Sequence, residues 1–169
     1  MNENITLRKA IVSEAPIIWE ILAAAIERRK ADGSNQWQDG YPNEVVVADD
    51  LSKQYGYVLV EGNTIIGYCA LILNDEPAYK TIEGQWLSND NFIVIHRIAI
   101  ATNHLGKGLV QTMLTHIEEL AKEQLINSLR ADTNFDNAAM LHLLKKKGYQ
   151  YCGEISMRGT PRKAFEKKL

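Results

Sequence analysis

Nine residues from Phe92 to Ile100, FIVIHRIAI, constrain the fold more than any other stretch of this chain. Apolar side chains fall on both parities of a β period, so a strand made of them must lie inside a sheet covered on both faces. Such a strand needs neighbours, and the rest of the sequence supplies them. Ile5 to Lys9 alternates like a short strand, and Tyr57–Glu61 and Thr64–Leu73 flank Gly62-Asn63 as an antiparallel hairpin. Ser128 to Asp132 reads as a further strand. Tyr149–Met157 and Arg162–Lys168 form a second hairpin around Gly159-Thr160-Pro161. The polar stretch from Asn74 to Asn91 carries no strand signal.

Between these runs the period changes to 3.6. Ser13 offers an N-cap with Pro16 in the first turn, and Ile17, Ile18, Ile21, Leu22, Ala25 and Ile26 form an apolar stripe that Gly33 ends. Residues 33–43 read as loop, followed by a shorter helix around Glu44 to Tyr55. Leu109, Met113, Ile117, Leu120 and Ala121 stripe a long helix, and Met140, Leu143 and Leu144 stripe another that stops at Gly148. With no repeat, low-complexity segment or linker, residues 1–169 are expected to form one domain, a mixed sheet with helices on its faces.

Composition removes several classes of function. Nineteen basic against twenty-one acidic residues give a net charge of −2, which creates no field to gather nucleic acid or anionic lipid. The first ten residues carry Glu3, Arg8 and Lys9, and the apolar run Ile17–Ile26 is broken by Glu20 and too short to span a bilayer. Cys69 and Cys152 lie in strand-like stretches without paired spacing, as reduced structural thiols do, and a cytoplasmic protein is expected. No membrane, nucleic acid or metal partner is expected; His104, His116 and His142 have no ligand spacing.

The informative junction is where the central strand meets the long helix. Ala101-Thr102-Asn103-His104-Leu105 runs into Gly106-Lys107-Gly108. Glycines permit close backbone approach, and the free amides and positive dipole end of a helix favour an anion. A Walker P-loop is excluded, because it needs Gly at 101 and Ser or Thr at 108, where Ala101 and Gly108 stand. Taken alone, the turn serves equally well as a tight connection without a ligand.

Element order and the residues from Phe92 to Tyr149 resemble the GNAT N-acetyltransferase superfamily. The likeness rests on Ile98-Ala99-Ile100, then Leu105 to Val110 against Q/R-x-x-G-x-G/A, then Asn137, Met140, Leu143, Gly148 and Tyr149. It implies an α/β (α+β) fold with a mixed, mostly antiparallel central sheet of about seven strands and helices on both faces. It also implies acetyl-CoA as co-substrate. Ile98, Ala99 and Ile100 would offer backbone to the pantetheine arm, Gly106, Lys107, Gly108, Leu109, Val110 and Gln111 would cradle the pyrophosphate, and Asn137 would touch the cofactor near its thiol. Two departures stand out: Leu105 and Val110 replace the motif's Gln/Arg and Gly/Ala, and Leu144 replaces a tyrosine often assigned as general acid.

An amine acceptor must lose a proton, which for a lysine-like amine costs roughly 4.6 kcal/mol at neutral pH. Asp132, at a strand end, and His96, on the strand expected to meet the thioester, are the candidate bases; each also has an ordinary role, as a cap acceptor or a hydrogen-bonded core histidine. Asp132 is the favoured one, five residues before Asn137. On the acceptor side, Trp37 and Tyr41 in the 33–43 loop and Trp86 in the other irregular segment are candidate substrate contacts or simple caps on the sheet. The partner is a small-molecule or peptide amine, with a homodimer left open. The leading function is an N-acetyltransferase working by direct attack in a ternary complex; the alternative is a catalytically silent acyl-CoA-binding or protein-interaction module.

Overall fold

The computed structural model describes residues 4–169. Among these residues, eight strands and four helices form a mixed, mostly antiparallel fold. Two compact units divide the described residues: the first holds those up to Leu71 with Arg97–Ile117, and the second holds Ile72–His96 with Glu118–Leu169.

In the first unit, β1 (Ile5–Lys9), β2 (Gly56–Glu61) and β3 (Thr64–Leu73) pair antiparallel in that order. The β2–β3 hairpin closes on Glu61 opposite Thr64, around Gly62-Asn63 as its turn signal implies. Past β3 lies the end of β5 (Phe92–Ile100), where the Ala101 amide donates to Ile66 O at 2.9 Å. α1 (Ala15–Ala31) and α2 (Glu44–Ser52) cover one face: Ile18, Ile21, Leu22 and Ala25 meet Val47, Leu51, Val58, Val60, Tyr68 and Ala99 in one buried cluster. The next residue back along β3, Gly67, faces the other way. A Cβ there would lie 3.0 Å from Met113 Cε of α3 (Leu109–Glu123), so the missing side chain lets that helix approach closely.

The start of α1 differs from its sequence reading. Ser13 sits inside a 3-10 turn, Val12–Glu14, and Glu14 holds the N-cap position. The Glu14 carboxylate accepts from the Ile11 amide at 2.9 Å and pairs with Arg8 at 2.6 Å, so a carboxylate organises the entry in place of the serine. α2 begins as its sequence implies, with Asn43 Oδ1 accepting from the Val46 amide at 3.0 Å.

In the second unit, the start of β5 runs parallel to β6 (Ser128–Thr133), from Phe92 opposite Ser128 to Ile95 opposite Ala131. β8 (Thr160–Lys168) pairs antiparallel with β6 on one side and with β7 (Gln150–Met157) on the other. α4 (Ala138–Lys146) precedes β7. The eighth strand, one beyond the seven read from sequence, is β4 (Glu83–Gly84), a two-residue piece on the edge of β7. Two residues cannot show an alternating pattern, so the segment reads as loop. Gly84 faces Gly153, and a Cβ on Gly84 would meet Cys152 O at 2.1 Å; only glycine permits that approach. The β7–β8 turn is Arg158-Gly159, both at positive φ, which shifts the hairpin centre back from Gly159-Thr160-Pro161. Pro161 is thus a strand residue, placed before the β6 ladder begins at Lys163, where its missing N–H costs nothing.

Candidate active site

In the first unit, β5 ends at Ile100, a 3-10 turn covers Thr102–His104, and α3 opens at Leu109. Gly106 and Gly108 both take left-handed φ values, 76° and 71°, and no heavy atom lies within 4 Å of a Cβ built on either. The space in front of the turn is open. The helix ladder begins with the Thr112 amide on Gly108 O at 3.1 Å, so the amides ahead of it have no carbonyl partner within the helix. An anion fits this place: it would find unmatched N–H groups, a helix dipole and the exposed Lys107, with no side chain in the way. Leu109 is buried, and Val110 and Gln111 are half-buried. Ala99 and Ile100 are buried while Ile98 is half-buried, and Ile100 O accepts from Arg28 Nη2 at 3.1 Å.

Just before these residues stands Arg97, at a left-handed φ of 55° inside a strand. Its guanidinium forks onto Asp50, Nε to Oδ2 at 2.8 Å and Nη2 to Oδ1 at 2.5 Å, and its Nη1 donates to the Tyr41 hydroxyl. The Tyr68 hydroxyl donates to Asp50 Oδ2 at 2.7 Å. Burial works against the charge on Arg97, but Tyr41 and Asp50 outweigh it and raise its pKa.

In the second unit, both candidate bases fall in one buried cluster. His96 Nε2 lies 2.6 Å from Glu76 Oε2, and His96 Nδ1 lies 3.9 Å from Asp132 Oδ1. The Tyr79 hydroxyl donates to Asp132 Oδ1 at 2.7 Å, and Arg162 Nε forms an ion pair with Asp132 Oδ2. Glu76 would be raised by burial, yet the hydrogen bond and charge of His96 hold it below the ordinary carboxylate range. An ionised Glu76 accepts from Nε2–H, which keeps a proton on Nε2 and turns Nδ1 toward Asp132. Asp132, by contrast, is occupied on both oxygens.

The other residues singled out from sequence each have a definite setting. Asn137 Oδ1 accepts from the Met140 amide at 3.2 Å and so caps α4. Trp37 packs against the buried cluster of the first unit, and Tyr41 docks on Arg97. Trp86 Nε1 donates to Tyr79 O at 2.9 Å, and its ring centre is 4.8 Å from that of Tyr79 and 4.3 Å from the Arg130 guanidinium. Leu144 is buried, at 1% exposure. The sequence reading missed Glu76, Tyr79, Arg162, Asp50 and Arg97. Arg97 carried a signal, a cation inside a mostly apolar run; the others reach their partners in these clusters over 18 or more positions.

A family model described as "Acetyltransferase (GNAT) family" matches residues 20–149. An acetyltransferase of the GNAT family from Streptococcus agalactiae has a solved structure that superposes with a TM-score of 0.88 at 34% identity, covering 99% of this chain and 96% of that one. The yncA structure of Salmonella typhimurium with its cofactor acetyl-CoA superposes with a TM-score of 0.68 at 17% identity, over 99% of this chain and 95% of that one, a likeness of fold. The L-amino acid N-acyltransferase MnaT of Escherichia coli is 28% identical over 105 residues, 59% of this chain, and the match spans 60% of that relative's length. Strand order, glycine turn and family match converge: this chain belongs to the GNAT acetyltransferase family.

Proposed function

We propose that this chain transfers an acetyl group from acetyl-CoA to a primary amine of a small molecule or peptide, by direct attack in a ternary complex. The observation that carries the reading is the open turn at Gly106 and Gly108 leading into α3, which suits the pyrophosphate of CoA. Lys107 adds a charge, and the backbone of Ile98, Ala99 and Ile100 lines up with the family segment that holds the pantetheine arm. Leu109, Val110 and Gln111 contribute first-turn amides, and Asn137 is the cofactor contact from α4. Acetyl-CoA, when bound, supplies an acyl group activated as a thioester. Backbone N–H groups of β5 would face the acyl oxygen, where negative charge develops.

His96 is the better base, for Asp132 is tied to Arg162 and Tyr79 whereas His96 keeps one nitrogen clear of a close partner. It takes the amine's proton at Nδ1, directly or through one water, and the resulting cation sits among Glu76, Asp132 and Tyr79, with Arg162 beyond Asp132. Asp132 then steadies His96. Tyr41, Trp37 and Trp86 stay as acceptor-side contacts. Burial raises the pKa of both cysteine thiols, which removes the easy route to a covalent enzyme intermediate and supports direct attack. The named substrate class of the Escherichia coli relative favours an amine acceptor with amino-acid character.

Free-thiol release from acetyl-CoA with a panel of amines and amino acids, beside a thermal shift with CoA, tests the reading. Turnover with at least one amine and a raised Tm are expected, and Gly108→Glu should abolish the shift by placing an anion at the phosphate position. A second reading, a silent acyl-CoA binder, draws on Leu144, a buried apolar residue where relatives place a proton donor. A CoA shift with no turnover across the panel selects it.

A further inference from the structure

We propose that Asp50, Arg97, Tyr41 and Tyr68 form a pin that holds the donor strand in its binding conformation, so that these four act as positioning residues for the pantetheine half of acetyl-CoA. The inference rests on the acyl-CoA reading above and assigns these four side chains a part in holding the cofactor that the reading does not give them. Arg97 is a non-glycine residue at φ 55° in the middle of β5, a conformation that costs of order 1–3 kcal/mol and persists only when its surroundings over-determine it. Here they do: three hydrogen bonds leave the guanidinium, and a fourth reaches Asp50 from Tyr68. The group is buried, with Arg97 and Asp50 side chains 8% and 3% exposed.

Stability alone does not explain such a pair, since a well-packed apolar pair of similar volume is often equally stable or better. Geometry does. A left-handed residue re-aims the strand beyond it, and the residues it re-aims are Ile98, Ala99 and Ile100. The same strand end is held again further along, where Arg28 donates to Ile100 O at 3.1 Å and to Thr102 Oγ1 at 3.1 Å. The pin also explains Tyr41: its hydroxyl joins the 33–43 loop to the residue that sets the strand's direction. The turn at Gly106–Gly108, by contrast, is shaped by its own glycines and the start of α3.

The two halves of CoA should therefore respond differently when the pin is removed. Two probes read this by calorimetry on the full chain: acetyl-CoA, and 3′-phosphoadenosine 5′-diphosphate, which keeps the pyrophosphate end and lacks pantetheine. The double variant Asp50→Leu/Arg97→Met removes the pin without leaving a buried charge. We expect its Kd for acetyl-CoA to rise about tenfold or more as preorganisation is lost, with the nucleotide's Kd changed less than about twofold. Tyr68→Phe and Tyr41→Phe each delete one bond of the pin and serve if the double variant fails to fold; they should shift the same ratio in the same direction by a smaller factor. A folded variant that loses affinity for both probes equally, or for neither, overturns the pin. Wild-type protein that binds neither probe overturns the acyl-CoA reading itself, and the pin with it.

Discussion

Consecutive residues of β5 carry two buried polar clusters of opposite character. Arg97 is closed: its fork meets both oxygens of Asp50, a third donor meets Tyr41, and its charge is secured above its ordinary stability by those partners once burial has been overcome. His96 is open: one nitrogen lies 2.6 Å from Glu76, and the other faces Asp132 at 3.9 Å, beyond hydrogen-bond range. A closed cluster has no proton to exchange and can only fix geometry. An open one leaves a ring nitrogen beyond hydrogen-bond range of its neighbour. On the function proposed above, neighbours in sequence would divide the work between holding and proton transfer.

The contrast breaks first at His96. His96→Gln should lower kcat by about a hundredfold or more with little change in KM for acetyl-CoA, the size expected when a general base is lost. A kcat within twofold of wild type would show that His96 is as inert as Arg97. Next come the carboxylates around it. Glu76→Gln should cost about tenfold in kcat, because the tautomer is no longer fixed, and Asp132→Asn should cost less in rate but lower Tm by leaving Arg162 partly unpaired in a buried place. If Asp132→Asn alone costs about a hundredfold in kcat, the two roles are exchanged.

Much of this arrangement was legible in the sequence, in a particular way. β3 and β5 fall on the boundaries their apolar runs imply, Thr64–Leu73 and Phe92–Ile100, because buried strands must be apolar throughout. Both candidate bases lie in one cluster, but what each of them pairs with was not readable. Asp132 looks available until Arg162 and Tyr79, 30 and 53 positions away, are seen to occupy it. Glu76 hides for a different reason: it precedes Pro77 and accepts from the Ala78 amide at 3.2 Å, so its local signature is that of a cap. Local physics writes helices and turns into sequence; long-range pairing of charges leaves almost no trace there.

An acid titration sharpens the comparison at smaller cost. Glu76 and Glu166 are both held below the ordinary glutamate value of 4.5, although burial alone would raise each. His96 does this for Glu76, and hydrogen bonds from Ser128, Ser88 and the Leu87 amide, with the charge of Arg130, do it for Glu166. A depressed carboxylate pKa stabilises the fold above the unfolded value and loses that contribution as pH falls through the folded value. Tm should therefore hold from neutral pH to about 4.5 and then decline, and Glu166→Gln should cost about 1–3 kcal/mol at pH 7 while flattening the decline, as read by melts across pH. The smallest effect is expected at Leu144. Leu144→Tyr and Leu144→Phe should each cost about 1–3 kcal/mol through overpacking, and their kcat values should differ by less than about tenfold. A large gain in the tyrosine variant alone would reveal a missing proton donor.

The two-residue strand β4 bears on how the edge of β7 is covered. Without it, β7 would present a long row of unpaired backbone groups, a template on which a second chain can add its own strand. Glu83 and Gly84 cover part of that row with a piece too short to act as a template in turn, and the facing glycines Gly84 and Gly153 make the cover possible. The cover of a sheet edge, a feature remote from acyl transfer, thus hangs on two missing methyl groups.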